Sequence, residues 1–265
     1  MMGSAWKRAS RRVILGCSIG TWNALLLGAE RFEDARALWR GITGLDDVLR
    51  TQIDVWNGLK SMKPARKILE AADAGKGLLC DVYAGTVDIA EKRQIAYYLN
   101  NLGRKAKQQL AECSGSQPFL MENVDFQGAG YFDGGAGGWV LSGLDAEVRP
   151  KRAAPPLPKP EEVAEYHAIL CSPRPGGRNK PRTQEDIKTA PKRAMVAFEL
   201  LLDMAVVHNI DTIRHYKMAG PKYLYAPESW EMCGAPDDFS PETIERRLTS
   251  VADWMWDNRC ELGTT

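Results

Sequence analysis

The stretch that most limits how this chain can fold is residues 11 to 30, RRVILGCSIGTWNALLLGAE. Two arginines precede an apolar run, as in an export signal, and ILGC resembles a lipoprotein cleavage box. A secretory apolar core needs about 7–15 apolar residues and a small-residue cleavage site. Here Val13 to Leu27 is broken by Gly16, Ser18, Gly20, Thr21, Trp22 and Asn23, and no A-x-A follows. Only Val13, Ile14 and Leu15 precede Cys17, too few for a lipid anchor. A strand, a sharp turn and a helix fit better. Arg12 to Leu15 is a β-branched, apolar run suited to a buried strand. Gly16 and Gly20 bracket Ser18 and allow tight backbone there. Thr21 to Glu30 then has small and apolar residues at helical spacing. Gly16-Cys17-Ser18-Ile19-Gly20 matches G-x-S-x-G, a turn that lifts a serine hydroxyl off the end of a strand and sets it at a helix N-terminus.

The remainder reads as one soluble α/β domain spanning residues 1–265. Hydrophobic residues make up 44% and charged residues 26%, enough for a sizeable core. The formal net charge of +1 provides no global field to attract nucleic acid, so no nucleic-acid partner is expected. The cysteines, at 17, 80, 113, 171, 233 and 260, form no C-x-x-C. They read as buried thiols of a reducing, cytoplasmic compartment. No segment offers the run of about 20 apolar residues that crosses a bilayer. Helices are expected over Glu30–Gly41, Leu45–Leu59, Pro64–Ala74 and much of Glu91–Cys113, with Arg93, Arg104, Lys105 and Lys107 on a solvated face. A strand is expected within Gly77–Ile89, and an apolar core helix over Ala194–His208. Within residues 149–191, Arg149–Pro160 is Pro-rich and reads as an extended crossing segment. Arg174, Arg178, Lys180, Arg182 and Lys188 then alternate with Pro and Gly. They read as a solvated loop, or alternatively as a contact for phosphate headgroups or RNA.

A G-x-S-x-G alone is short enough to arise by chance. A second stretch adds to it. Phe119 to Phe126 looks extended, and QGAGYFDGG reads as a hairpin returning through Tyr131-Phe132 into a glycine-rich loop. Asp133, held between an aromatic strand end and Gly134-Gly135, could approach another backbone closely. Together these stretches resemble the patatin-like phospholipases, which pair a serine in G-x-S-x-G with an aspartate in D-G-G or D-G-A. GCSIGTWNALLLGAE is similar to that family's elbow and helix, and FEDARALWRGI to its next helix. LAECSGSQPFLMENVDFQGAGYFDGG is similar to its approach to the aspartate, VAEYHAILCSPRPG to the strand after it, and KYLYAPESWEMCGAPDDFSPETIERRLTSVADWM to its closing strand, turn and helix. The similarity runs in the family's order from about residue 11 to residue 256.

The resemblance implies a patatin-like three-layer fold with a mostly parallel central sheet covered by helices. It implies a Ser18–Asp133 dyad that works without a histidine, a metal or an organic cofactor. The backbone N–H of Ile19 would face the oxyanion, with Gly16, Gly20, Gly134 and Gly135 as motif glycines. The substrate would be a phospholipid, lysophospholipid or other acyl ester, met at a membrane surface. One departure stands out. The family's first strand and G-G-G-x-R-G-type loop have no counterpart in MMGSAWKRASRR, where Gly3 is the only glycine. Loss of one oxyanion donor costs about 3–4 kcal/mol. An inactive homologue acting as a binding or scaffold protein is therefore the alternative. His167, His208 and His215 follow Ser18 and Asp133 in the order of an α/β-hydrolase triad, but that fold needs several strands before its elbow. His167 reads as a core or edge histidine of a strand. His208 and His215 share a helical face, with no third residue to complete a metal site.

Overall fold

A computed structural model of the protein describes residues 11–51, 60–117, 121–122, 124–137, 146–151, 153–170, 188–234 and 238–263. The chain forms two compact units, one from Met1–Gly137 with Asp145–Leu157, the other from Gly138–Leu144 with Pro158–Thr265.

The first unit opens with β1 (Val13–Cys17), which turns at Ser18 into α1 (Ile19–Leu27) and α2 (Phe32–Arg40). A short antiparallel pair follows, β2 (Arg50–Thr51) with β3 (Lys60–Ser61), then α3 (Lys63–Ala71), which carries Pro64 in its first turn. Next come β4 (Asp81–Asp88), β5 (Arg93–Tyr98), α4 (Arg104–Gly115), β6 (Val124–Phe126), β7 (Ala129–Asp133) and β8 (Glu147–Arg149). The sheet runs β6-β7-β4-β5-β8, with β1 also paired to β4. Helices α1 and α4 pack on it and on each other, α2 packs on α1, and α3 on α4. Trp22, Leu25, Leu26, Val82, Ala84, Ile95, Leu110 and Ala111 are buried between them.

This corrects the expected mostly parallel sheet. The β4–β5, β4–β7 and β6–β7 pairings are antiparallel, and only β1–β4 and β5–β8 are parallel. The reason is connectivity. The routes from β1 through helices to β4, and from β5 through α4 and the β6–β7 hairpin to β8, are crossovers of the kind that parallel neighbours need. After Asp88 the chain returns at once as β5, where a helical stretch was expected. The β6–β7 hairpin is the one expected from QGAGYFDGG, and Gln127-Gly128 form its two-residue turn with φ of 54° and 81°. That double positive φ matches the twist of the flanking strands.

Two smaller expectations also change. Residues 45–51 form a 3-10 turn (Leu45–Asp47) and then β2 rather than a helix, and residues 52–59 lie outside the described residues. Lys107 is buried rather than solvated, and its Nζ donates to the Gly75 carbonyl at 2.8 Å. The Pro-rich stretch starts in a turn, where the Ala153 and Ala154 amides donate to the Pro150 carbonyl, and then contacts a residue of β4 and one just after β5. Tyr83 Oη donates to the Pro155 carbonyl at 2.8 Å, and Asn101 Nδ2 to that of Ala153 at 2.6 Å.

The second unit pairs β9 (Tyr166–Ile169) in parallel with β10 (Lys222–Tyr225), and β10 antiparallel with β11 (Cys260–Glu261). Between β9 and β10 runs α5 (Ala190–His215). Its Val206, Ile210 and Ile213 pack with Ala168, Leu170 and Leu224. Leu200, Met204 and Val207 on the same helix are exposed, so only part of its apolar surface belongs to the core. The C-terminal carbonyls of α5 are held by the buried Lys222, whose Nζ donates to Ile213, Arg214 and Tyr216. The unit also contains α6 (Trp230–Cys233) and α7 (Pro241–Arg246), capped by Ser240; α7 passes through a π turn (Arg247–Val251) into α8 (Ala252–Asp257). Arg174, Arg178, Lys180 and Arg182 lie outside the described residues. No helix among the described residues is long and apolar enough to cross a membrane.

Candidate active site

One edge of β4 is shared between two strands. Along residues 81–85 it pairs with β1, ending at Cys17 opposite Gly85. From residue 86 onward the same strand pairs with β7, beginning with Asp133 opposite Thr86. The residue that follows β1 and the residue that ends β7 therefore meet where the pairing is handed over. Those residues are Ser18 and Asp133.

Ser18 adopts φ 55° and ψ −131°, a conformation rare outside glycine, before α1 begins at Ile19. Gly16 makes the turn possible, because a Cβ there would lie 2.5 Å from Thr21 Cα and 2.6 Å from the Gly20 carbonyl oxygen. Gly20 has no such constraint, with nothing within 4 Å of a Cβ among the described residues. Ile19 is the first residue of α1, where backbone N–H groups have no acceptor within the helix. Among the described residues none accepts from its amide, so it can donate to an oxygen that gains charge beside Ser18.

Asp133 is 3% exposed. Gly134 permits its approach: a Cβ there would sit 2.4 Å from the Gly85 carbonyl oxygen and 2.7 Å from Cys17 Sγ. Gly135 serves through its backbone N–H, which donates to Asp133 Oδ1 at 2.7 Å. The Cys17 thiol lies 3.9 Å from the same oxygen. Burial pushes the Asp133 carboxyl up to about 6, and the Ser18 hydroxyl, the Gly135 N–H and the Cys17 thiol offset part of that rise. Ser18 is thus close enough to favour the charged carboxylate. Even so, among the described residues the buried Oδ2 accepts no hydrogen bond of normal geometry. A carboxyl poised near 6 is ionised at neutral pH and basic enough to receive a proton from an attacking serine.

The histidines have other surroundings. His167 in β9 shares a hydrogen bond of 2.9 Å with Tyr225 Oη, and its Nε2 lies 3.1 Å from Glu165. His215 Nδ1 lies 2.6 Å from the Asp211 carbonyl oxygen, and His208 is on the same helix, α5. Sequence reasoning also missed Ser114, at the end of α4. Its hydroxyl, fully buried, meets the Ser18 amide, the Thr21 hydroxyl and the Gly85 carbonyl. The signal available was the run of small polar residues C-S-G-S before Pro118, too common to single out a residue. Compared with known proteins, the chain matches no family model and no curated sequence, so the reading of this site rests on its chemistry.

Proposed function

We propose that the protein is a serine acyl hydrolase of the patatin-like phospholipase type, acting on a phospholipid, lysophospholipid or other acyl ester. The observation that carries the reading is the shared edge of β4, which juxtaposes a glycine-bracketed serine in a strained turn with a buried aspartate of raised pKa. The order of the quoted motifs along the chain also supports it. Ser18 Oγ attacks the ester carbonyl and passes its proton to Asp133. The tetrahedral oxyanion accepts a hydrogen bond from the Ile19 N–H. Collapse expels the alcohol, which takes the proton from Asp133, and leaves an acyl-serine. Water then attacks the acyl group with Asp133 again as base, releasing the carboxylic acid and regenerating Ser18.

The substrate meets the protein at a lipid–water surface, as a peripheral contact. A p-nitrophenyl ester and phosphatidylcholine vesicles, each assayed with the parent and with Ser18→Ala, test the reading. Turnover that disappears in Ser18→Ala supports it, and equal turnover by both overturns it. Binding of the vesicles with no turnover by the parent would instead favour an inactive homologue that acts as a binding or scaffold protein.

A further inference from the structure

We infer that Ser114 is a positioning residue that holds the nucleophile's backbone in one frame with β4, the strand on which the base's strand pairs. This inference rests on the hydrolase reading and deepens it. Ser114 Oγ has one proton and two lone pairs. The Gly85 carbonyl, 2.7 Å away, can only accept, so the Ser114 hydroxyl donates its hydrogen bond there. The lone pairs then accept from the Ser18 N–H at 2.9 Å and from the Thr21 hydroxyl at 2.8 Å. Every bonding position of the hydroxyl is used, and neither Ser114 nor Thr21 has any exposed surface. Water is not available to replace these bonds.

The three partners are the parts that must agree for the site to form. Ser18 is the elbow itself, Thr21 belongs to the first turn of α1, and Gly85 is the last β4 residue paired to β1. Two residues further on, the Ser116 carbonyl accepts from the Asp133 N–H at 2.8 Å. The end of α4 therefore grips the amide of the nucleophile with one residue and the amide of the base with another. Such a grip keeps the Ser18 turn in its strained conformation, because a relaxed φ would swing α1, and with it the Thr21 hydroxyl, away from Ser114 while the Ser18 N–H stays bonded to it.

Amide hydrogen exchange of the full chain, followed by NMR, tests the grip without reference to turnover. The Ser18 amide of the parent should exchange slowly, although it lies in a turn. In Ser114→Ala it should exchange about tenfold faster or more, while the amides of β5 keep their rates. On the p-nitrophenyl ester, Ser114→Ala should lower kcat about ten- to a hundredfold with KM unchanged, as a small misplacement of a reacting group does. Gln108→Leu is the control for lost stability. Gln108 is buried in the same helix, but its amide serves the Leu69 and Ala74 carbonyls away from the elbow. It should lower Tm with kcat held. A Ser18 amide that exchanges in the parent as fast as an exposed loop overturns the inference, and so does an equal fall of kcat in both variants. Protection of the Ser18 amide without Ser18-dependent turnover would overturn the hydrolase reading instead.

Discussion

At Ser18 the backbone stands at φ 55° and ψ −131°. A non-glycine residue held there costs about 1–3 kcal/mol. Ser18→Gly should remove that cost and raise Tm, whereas Ser18→Ala should leave Tm near the parent's, and both should abolish ester turnover. Thermal melts beside the ester assay check this, and a destabilised Ser18→Gly would argue against a strained elbow. Asp133 stores a cost of another kind. Its carboxyl titrates near 6 in the fold against 3.8 unperturbed, so the folded state holds a proton that the unfolded chain releases. Stability therefore falls as pH rises from about 4 to above 6, by about 3 kcal/mol in all. The proposed mechanism needs the ionised form, so turnover should fall as pH drops through about 6. Asp133→Asn should abolish turnover and raise Tm at pH 8, with the gain disappearing at pH 4. Melts at the two pH values decide it, and a variant less stable than the parent at pH 8 would refute the buried charge.

Among the elements, the elbow and the β6–β7 hairpin were legible because their turn chemistry is local. Gly16 before Ser18, and Gly128 between Phe126 and Tyr131-Phe132, carry backbone requirements in their residue type. Strand β5 was not legible. Ile95 to Tyr98 are all buried, so there is no alternation to set them apart from the charged, helical stretch that follows. The mostly parallel sheet was what the resemblance implied, and the returns after Asp88 and at Gln127-Gly128, with the β4–β7 pairing, make the sheet largely antiparallel instead. Nor did the helical spacing of Leu45, Val48 and Leu49 survive, because the Asp47 carboxylate accepts from both the amide and the hydroxyl of Thr43 and closes a tight turn. The motif glycines were found as a group but differ in what they do. Gly134→Ala would force a Cβ against the Gly85 carbonyl and should cost about 1–3 kcal/mol, with a loss of kcat. Gly20→Ala meets open space in a helix and should stabilise by about 0.5–1 kcal/mol. Denaturant titrations of both variants check the contrast, and similar losses in the two would sink it.

For the whole molecule, the formal charge of +1 remains the broadest constraint. A protein that neutralised many phosphates would lose affinity steeply with salt. Gel-shift titrations with a single-stranded RNA at 50 and 200 mM salt should give no retarded species at either, and a salt-dependent complex would reopen the role of the basic residues between 174 and 188. All the described contacts that orient Ser18 and Asp133 come from the unit that contains β4. Because one strand edge carries both neighbours, chemistry here is tied to sheet alignment. A slip of β7 by one residue would carry Asp133 about 3.4 Å along β4 and turn its side chain to the opposite face. If the proposed hydrolase reading holds, ester turnover regained during refolding would time the moment at which β1 and β7 both lock into alignment on β4, making activity a gauge of strand registry.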